Sequence, residues 1–348
     1  MSEPSEPVLV AGLDVGGTKT LAVAVDARRL PGRGGATDGD GARPAIVAEV
    51  RRPTAGGGGD ELLRTTAEAL AELADAAGVR PDGFTAVGVG VPGLVDRAAG
   101  TVRHAVNLGV DGTPVPLARH LGAIARARVV VDNDVNLAAV GAAVALGRRD
   151  LAYLSVGTGL AAGLLLDGRI RRGAHGAAGE IGHLPVDPRG PRCECGQRGC
   201  LEVMASGAAI AARWPTHDGE PSATAALLAA VGAGEPGAAA VLDEVAEHLA
   251  GAVALLAQTV DPEVVVLGGG VAEAGDGLLE AVRRALRGRA ARSPLLAAID
   301  LSDRVVLVPD DVPAGALGAA VHAVHRPAPD DAAAVDAAPG ADVASDTP

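Results

Sequence analysis

Apolar positions come in short runs, broken every few residues by glycine or charge. Residues 8–15 (VLVAGLDV) and 21–26 (LAVAVD) are two β-rich runs joined across GGTKT, which reads as a hairpin. A third strand is expected at 45–50 (AIVAEV), after a Gly/Pro/Arg-rich stretch, 27–44, expected to be a long flexible loop. GGGG at 56–59 marks a break, and 60–77 has helical spacing with Asp60 placed to cap it. Residues 85–91 (TAVGVGV) read as a buried strand ended by Pro92-Gly93. A second unit starts near ARVVVDND (127–134), continues with a helix over 135–147, and then with strands at 151–157 and 160–167. Helical runs follow at 205–213, 222–231 and 237–259, then a strand at 263–270 ending in three glycines. A helix at about 275–289, a strand at 304–309 and a last helix at 315–324 complete the pattern.

Two copies of a strand–hairpin–strand–helix order, starting near residues 8 and 128, imply duplicated α/β domains with a cleft between them as the default site. The 348 residues suit two domains, and 48% apolar residues can bury a sizeable core. No run reaches the ~18–20 residues of a membrane span, and residues 1–8 lack the features of a signal peptide. A cytoplasmic protein without a membrane partner is expected. The net charge of −13 disfavours nucleic acid as a partner. Basic residues are arginine throughout except for Lys19.

Candidate chemistry sits where the runs break. DVGGTKT (14–20) sets Asp14, Gly16, Gly17, Thr18 and Lys19 at a hairpin tip, where glycine lets backbone N–H groups approach phosphate and Asp14 could hold Mg²⁺. A second such turn, VGTGLAAG (156–163), offers Gly157, Thr158 and Gly159. Asn133 and Asp134, at a strand end entering a helix, serve as helix caps or as the pair that orients and deprotonates an attacking hydroxyl. At an ordinary carboxylate pKa of ~3.9, Asp134 would be ionised for that task. Gly269 and Gly270, in the glycine run that ends the strand at 263–270, permit close approach of a ribose or flat ring.

The three cysteines all lie in CECGQRGC (193–200). An odd count without a secretion signal argues against disulfides. Cys193, Cys195 and Cys200 with His183 of GEIGH (179–183) make one imidazole and three thiolates, a set for structural Zn²⁺. Glu180 lies on the same turn as His183, and Glu202 follows the last cysteine by two residues.

These residues resemble the ROK group of repressors, open reading frames and sugar kinases. CECGQRGCLE (193–202) fits that family's CxCGxxGCxE signature, and GEIGH, DVGGTKT, GVGVPGLVD (88–96), NL (107–108), NDVN (133–136) and LGGGV (267–271) follow in family order over about residues 8–325. The resemblance implies an α/β actin-like ATPase fold of two ribonuclease-H-like domains. One would comprise 8–127 plus 313–325 and the other 128–312 with its zinc loop at 183–200, leaving a flexible N-terminus, 1–7, and a disordered tail, 326–348. It implies transfer of the γ-phosphoryl of ATP·Mg²⁺ to a hexose C6 hydroxyl, as in a glucokinase. Asp134 is then the base, and Gly93, Asn107, Asn133, Glu180, His183 and Glu202 the sugar contacts. The two hairpin turns contact phosphate, with Gly269 and Gly270 on the adenosine side. Family members are expected to be homo-oligomers, dimer or tetramer.

The alternatives within this frame are an N-acetylmannosamine or N-acetylglucosamine kinase, polyphosphate as donor, and a non-catalytic sugar sensor. Repressors of the group carry an N-terminal helix-turn-helix, for which the position of Asp14 leaves no room. The chain departs from the family pattern in two places. Ala161 and Ala162 replace expected glycines, adding methyl groups near the phosphates and a cost of ~1 kcal/mol or more wherever φ is positive. An acidic residue expected about seven positions after Asp134 is also missing.

Overall fold

A computed structural model describes residues 7–30, 46–216, 222–272 and 275–325. Residues 1–6 of the N-terminus expected to be flexible, most of the expected loop at 27–44 and the tail at 326–348 lie outside the described residues.

The first sheet has strand order β3-β2-β1-β4-β7, built from β1 (Leu9–Val15), β2 (Lys19–Asp26), β3 (Ile46–Pro53), β4 (Ala86–Val91) and β7 (Arg128–Asn133). β1 and β4 are buried almost throughout, as suits strands covered on both faces, whereas β3 alternates half-buried and exposed residues at the edge. β1, β2 and β3 pair antiparallel, and β1, β4 and β7 pair parallel. The second sheet, β10-β9-β8-β11-β12, repeats this plan with β8 (Leu151–Val156), β9 (Leu160–Leu166), β10 (Arg169–Ile170), β11 (Val264–Gly268) and β12 (Val305–Leu307). Its hairpin strands are antiparallel and β8, β11 and β12 run parallel. This duplication is the expected actin-like arrangement.

The boundary expected at residue 128 falls elsewhere. Arg128–Asn133 pairs with β4 in the first sheet, and the repeat begins again only at β8. α3 (Asp134–Leu146) joins the two sheets and packs on β8, β9 and β4. Its apolar residues surround the helix because it is enclosed on every side. The C-terminal helix α10 (Ala314–His325) packs on α3, β1 and β4. Gly12 and Gly88 make that approach possible, since a Cβ on either would overlap the α10 backbone at Ala316 or Ala319.

α1 (Gly59–Ala76) covers β2 and β3. Its cap is Gly58 rather than Asp60, which lies in the first turn, where a negative charge favours the helix's positive end. The strand pattern does not reveal the small pair β5 (Leu94–Asp96) and β6 (Thr101–Arg103), α2 (Leu117–Ala125) or α4 (Leu201–Ala205). α5 (Gly207–Arg213), α6 (Ala223–Ala233), α7 (Ala238–Val260), α8 (Asp276–Ala290) and α9 (Pro294–Ile299) complete the described helices. Among the described residues no helix is long and apolar enough to cross a membrane.

Candidate active site

The first group of site residues lies at the carboxyl ends of the parallel strands, where open α/β sheets bind ligands. Asp14 pairs in register with Gly90, and Gly90 with Asp132, so three strands place these residues in one row. The ideal Cβ position of Gly90 lies 3.7 Å from Asp14 Oδ1 and 3.4 Å from the α-carbon of Asp134. Burial pushes the Asp14 carboxyl up to about 7, aided by the charge of Asp134 and opposed by Lys19.

Asp134 opens α3, and its Oδ1 accepts from Val135 N–H at 2.9 Å. Burial raises its pKa to about 6, against its backbone hydrogen bonds and with a contribution from Glu180. The ordinary carboxylate pKa expected for it is therefore corrected upward. Asn133 is the helix cap, its Oδ1 accepting from Val135 and Asn136 N–H at 3.1 and 3.2 Å. Capping uses the oxygen of this amide.

The two hairpin turns differ in length, four residues (16–19) closing β1–β2 and three (157–159) closing β8–β9. Gly16 N–H donates to Lys19 O at 2.9 Å, and Gly157 N–H to Gly159 O at 3.0 Å. A Cβ on Gly17 would come within 3.0 Å of the Asn107 side chain, so the first turn touches the segment expected to hold sugar. Gly207 N–H donates to Gly157 O at 2.7 Å, and Val271 N–H to Val156 O at 2.8 Å, which gathers α5 and the glycine run after β11 around the second turn. Gly269 has φ +82°, while Gly157 and Gly270 face open space. Gly93 has φ +94° against the backbone of Arg103 and Ala105, so the turn after β4 requires glycine for its own shape.

Ala161 and Ala162 are not in the turn. They belong to β9, opposite Ser155 and Leu154, and neither has a positive φ. Ala162 N–H donates to Gly179 O at 2.8 Å, so this strand seats the loop bearing Glu180.

His183, Cys193, Cys195 and Cys200 offer four ligand atoms within 4.8 Å of one another. His183 Nδ1 lies 3.6 Å from Cys193 Sγ, and Cys195 Sγ 3.6 Å from Cys200 Sγ. Tetrahedral bonds of zinc length give ligand separations of ~3.6–3.8 Å, whereas a disulfide needs ~2.05 Å. The donor set therefore fits a metal ion. Gln197, which the sequence pattern does not single out, donates from Nε2 to His183 O at 2.9 Å and to Cys195 Sγ at 3.5 Å, bracing the ligands.

A cavity of about 750 Å³ is lined by Asn107, Thr158, Gly159, His183 and Glu202, joining both lobes and the cysteine loop. His183, whose Nδ1 turns to Cys193, is thus shared between the cysteine cluster and the cavity wall. Glu202 Oε2 accepts from Leu160 N–H at 2.9 Å, and a Cβ on Gly159 would overlap it. This carboxylate thus links the cysteine loop to the second turn. Asp14, Asn133, Asp134 and Glu180 do not line this cavity; the first three group at the strand ends, and Glu180, on the loop before His183, is near enough for its charge to act on Asp134.

Asp132 is a charged residue that the motifs pass over. It is 2% exposed and is bound by Arg172 and by His322 Nε2 at 3.3 Å. Burial pushes its carboxyl up, but the bonds from His322 and Arg172 outweigh this and hold it well below the usual carboxylate range.

Residues 45–325 match the family model described as the ROK family. The chain belongs to the ROK family. It is 34% identical over 259 residues to a glucokinase of Halalkalibacterium halodurans, covering 69% of this chain and 78% of that one. The crystal structure of a ROK hexokinase from Thermus thermophilus is 34% identical with a TM-score of 0.67, over 91% of this chain and 98% of that one. A ROK glucokinase from Streptomyces griseus in complex with glucose and AMPPNP is 28% identical with a TM-score of 0.71, over 91% of this chain and all of that one. Xylose repressors and a bifunctional NanE/NanK enzyme are among the further relatives of this ROK chain.

Proposed function

We propose that the protein is an ATP-dependent hexose kinase that phosphorylates glucose at its C6 hydroxyl. The observation that carries this reading is the pair Asp14 and Asp134 flanking Gly90 at the strand ends, with the β1–β2 turn directly after Asp14. Sugar would bind against Asn107, Asn133, Glu180 and His183, with Gly93 shaping the turn beneath it. Glu202 at the second turn would link that pocket to the phosphates. The nucleotide would lie across Gly16–Lys19 and Gly157–Gly159, its adenosine near Gly269 and Gly270. Asp14 would hold Mg²⁺, which screens the charge of the phosphates.

The transfer forms a bond from the sugar oxygen to the γ-phosphorus and breaks the bond to the β–γ bridging oxygen, so ADP leaves. Asp134 accepts the hydroxyl proton. A carboxylate with a pKa near 6 is a stronger base than an ordinary aspartate and is still ionised at neutral pH. His183, Cys193, Cys195 and Cys200 would hold zinc, which with four protein ligands has no open position and supplies only rigidity to the loop. Such an enzyme belongs in the cytoplasm, where ATP is available.

The deciding experiment is ADP release from ATP·Mg²⁺ with glucose, mannose, fructose, N-acetylmannosamine and N-acetylglucosamine in turn. Glucose preferred, with Asp134→Ala inactive, supports the reading. Preference for an N-acetylhexosamine changes the substrate, and glucose binding without turnover replaces the kinase with a sugar sensor.

A further inference from the structure

Asp132 stands two residues before the proposed base, and its side chain meets three separate parts of the fold. It lies on β7 of the first sheet, and its Oδ1 accepts from the N–H of Asn133 at 2.9 Å. Arg172, which follows β10 of the second sheet, approaches the same oxygen through Nε at 3.4 Å and bonds Oδ2 through Nη2. His322 on α10 brings Nε2 to Oδ2 at 3.3 Å.

Each partner leads to another part of the site. Arg172 opens the loop that carries Glu180 and His183, and its carbonyl accepts from Ala178 N–H at 3.0 Å, which closes the loop on its own root. His322 lies two helical turns after Gly315, on the same face of α10, and Gly315 packs directly against Asp14. The row Asp14–Gly90–Asp132 therefore meets one stripe of α10 at both ends, and its Asp132 end is also tied to the second lobe. A surface ion pair would carry little. This one is enclosed, with Asp132 2% exposed and the Arg172 and His322 side chains 19% and 18% exposed.

We propose that Asp132, Arg172 and His322 form a clamp that sets the spacing between the Asn133–Asp134 strand end and the Glu180–His183 loop, making Asp132 a positioning residue for sugar binding and transfer. Asp132 touches no substrate; it fixes two elements that do. The inference rests on the kinase reading, so its test includes an arm that needs no turnover.

The experiment is a double-mutant cycle with Asp132→Asn and Arg172→Gln, alone and together, in the full-length protein, with His322→Gln as a milder third variant. Glucose Kd without nucleotide, steady-state kinetics and thermal melting are read for each. The clamp predicts that each of the first two variants weakens glucose binding and lowers kcat by roughly ten- to a hundredfold, the scale on which small misplacements cost rate. It predicts that KM for ATP changes less than about twofold, and that the double variant is no worse than either single one, because both break the same bond. His322→Gln should give a smaller loss in the same direction. Unchanged glucose affinity and kcat in a folded Asp132→Asn protein, a change confined to melting temperature, or additive losses in the double variant would each overturn the clamp. Should Asp132→Asn not fold, His322→Gln with wild-type glucose affinity and kcat would overturn it equally. If the unaltered protein binds glucose without turning it over, the kinase reading falls while the Kd cycle still decides the clamp.

Discussion

Gly315 and Asp14, about 300 residues apart in sequence, are in such close contact that a methyl group on the glycine would overlap the carboxylate. The opening turn of the last helix is therefore one wall of the proposed magnesium site. Gly315→Ala should displace either the carboxylate or the helix and lower kcat by about a hundredfold. A Mg²⁺ titration should show weakened Mg²⁺ affinity, with half-activation at a higher concentration and glucose affinity retained. Normal Mg²⁺ dependence in that variant would mean that Asp14 does not serve the metal.

Asp134→Asn keeps the shape of the residue and removes its charge. Loss of a general base costs ~10²–10⁴ in rate, so kcat should fall by that range while calorimetry shows glucose binding within a few-fold of normal. Residual turnover above a tenth of normal would remove Asp134 from the base role.

The raised pKa values have consequences for activity and for stability. A base of pKa about 6 must be ionised, so kcat/KM for the sugar should fall tenfold per pH unit below about 6 in the free enzyme. For stability, Asp14 has a folded pKa of about 7 against an unfolded value near 3.9. Between these values the unfolded chain has lost its proton and the folded chain has kept it, so stability declines as pH rises from about 4 to 7. Asp14→Asn escapes this decline. It should be more stable than the natural protein by about 1–2 kcal/mol at pH 8, less than the whole shift implies because Asp14 keeps some contact with water, and indistinguishable near pH 4. Denaturant melts at the two pH values check this.

Removing the metal should act on sugar rather than on nucleotide. Cys195→Ser, or chelation of the natural protein, should lower metal content by about one ion per chain and release the loop that carries His183. Glucose Kd should then weaken about tenfold, in line with the cost of losing a supporting shell, while AMPPNP affinity stays within twofold. Equal glucose affinity with and without metal would disconnect the cysteine loop from the sugar pocket.

Much of this arrangement was legible because it is local. The two hairpins show as paired β-rich runs across glycines, and the candidate metal ligands of CECGQRGC lie within eight residues with His183 shortly before. What the chain does not display locally is allegiance. RVVVDN would serve equally as a strand in either sheet, and only its pairing with β4 assigns it to the first. Asp132 looks like one more residue of the NDVN motif because its partners lie 40 and 190 positions away. The same distance hides the reason for Gly12 and Gly88, which have no turn to make and leave room for a helix at the far end of the chain. Ala161 and Ala162 misled for the opposite reason: their neighbourhood resembles a glycine turn, but the hairpin closes before them.

The return of α10 to the first sheet also constrains how the protein is made. During synthesis β1 and β4 emerge early with Gly12 and Gly88 uncovered, and the helix that fills that face follows every strand of both sheets. The second lobe, continuous from β8 to β12, can complete its sheet on the ribosome while the first lobe waits. Gly12 and Gly88 therefore meet their helix only at the end, and the same late event that covers them also closes the wall beside Asp14.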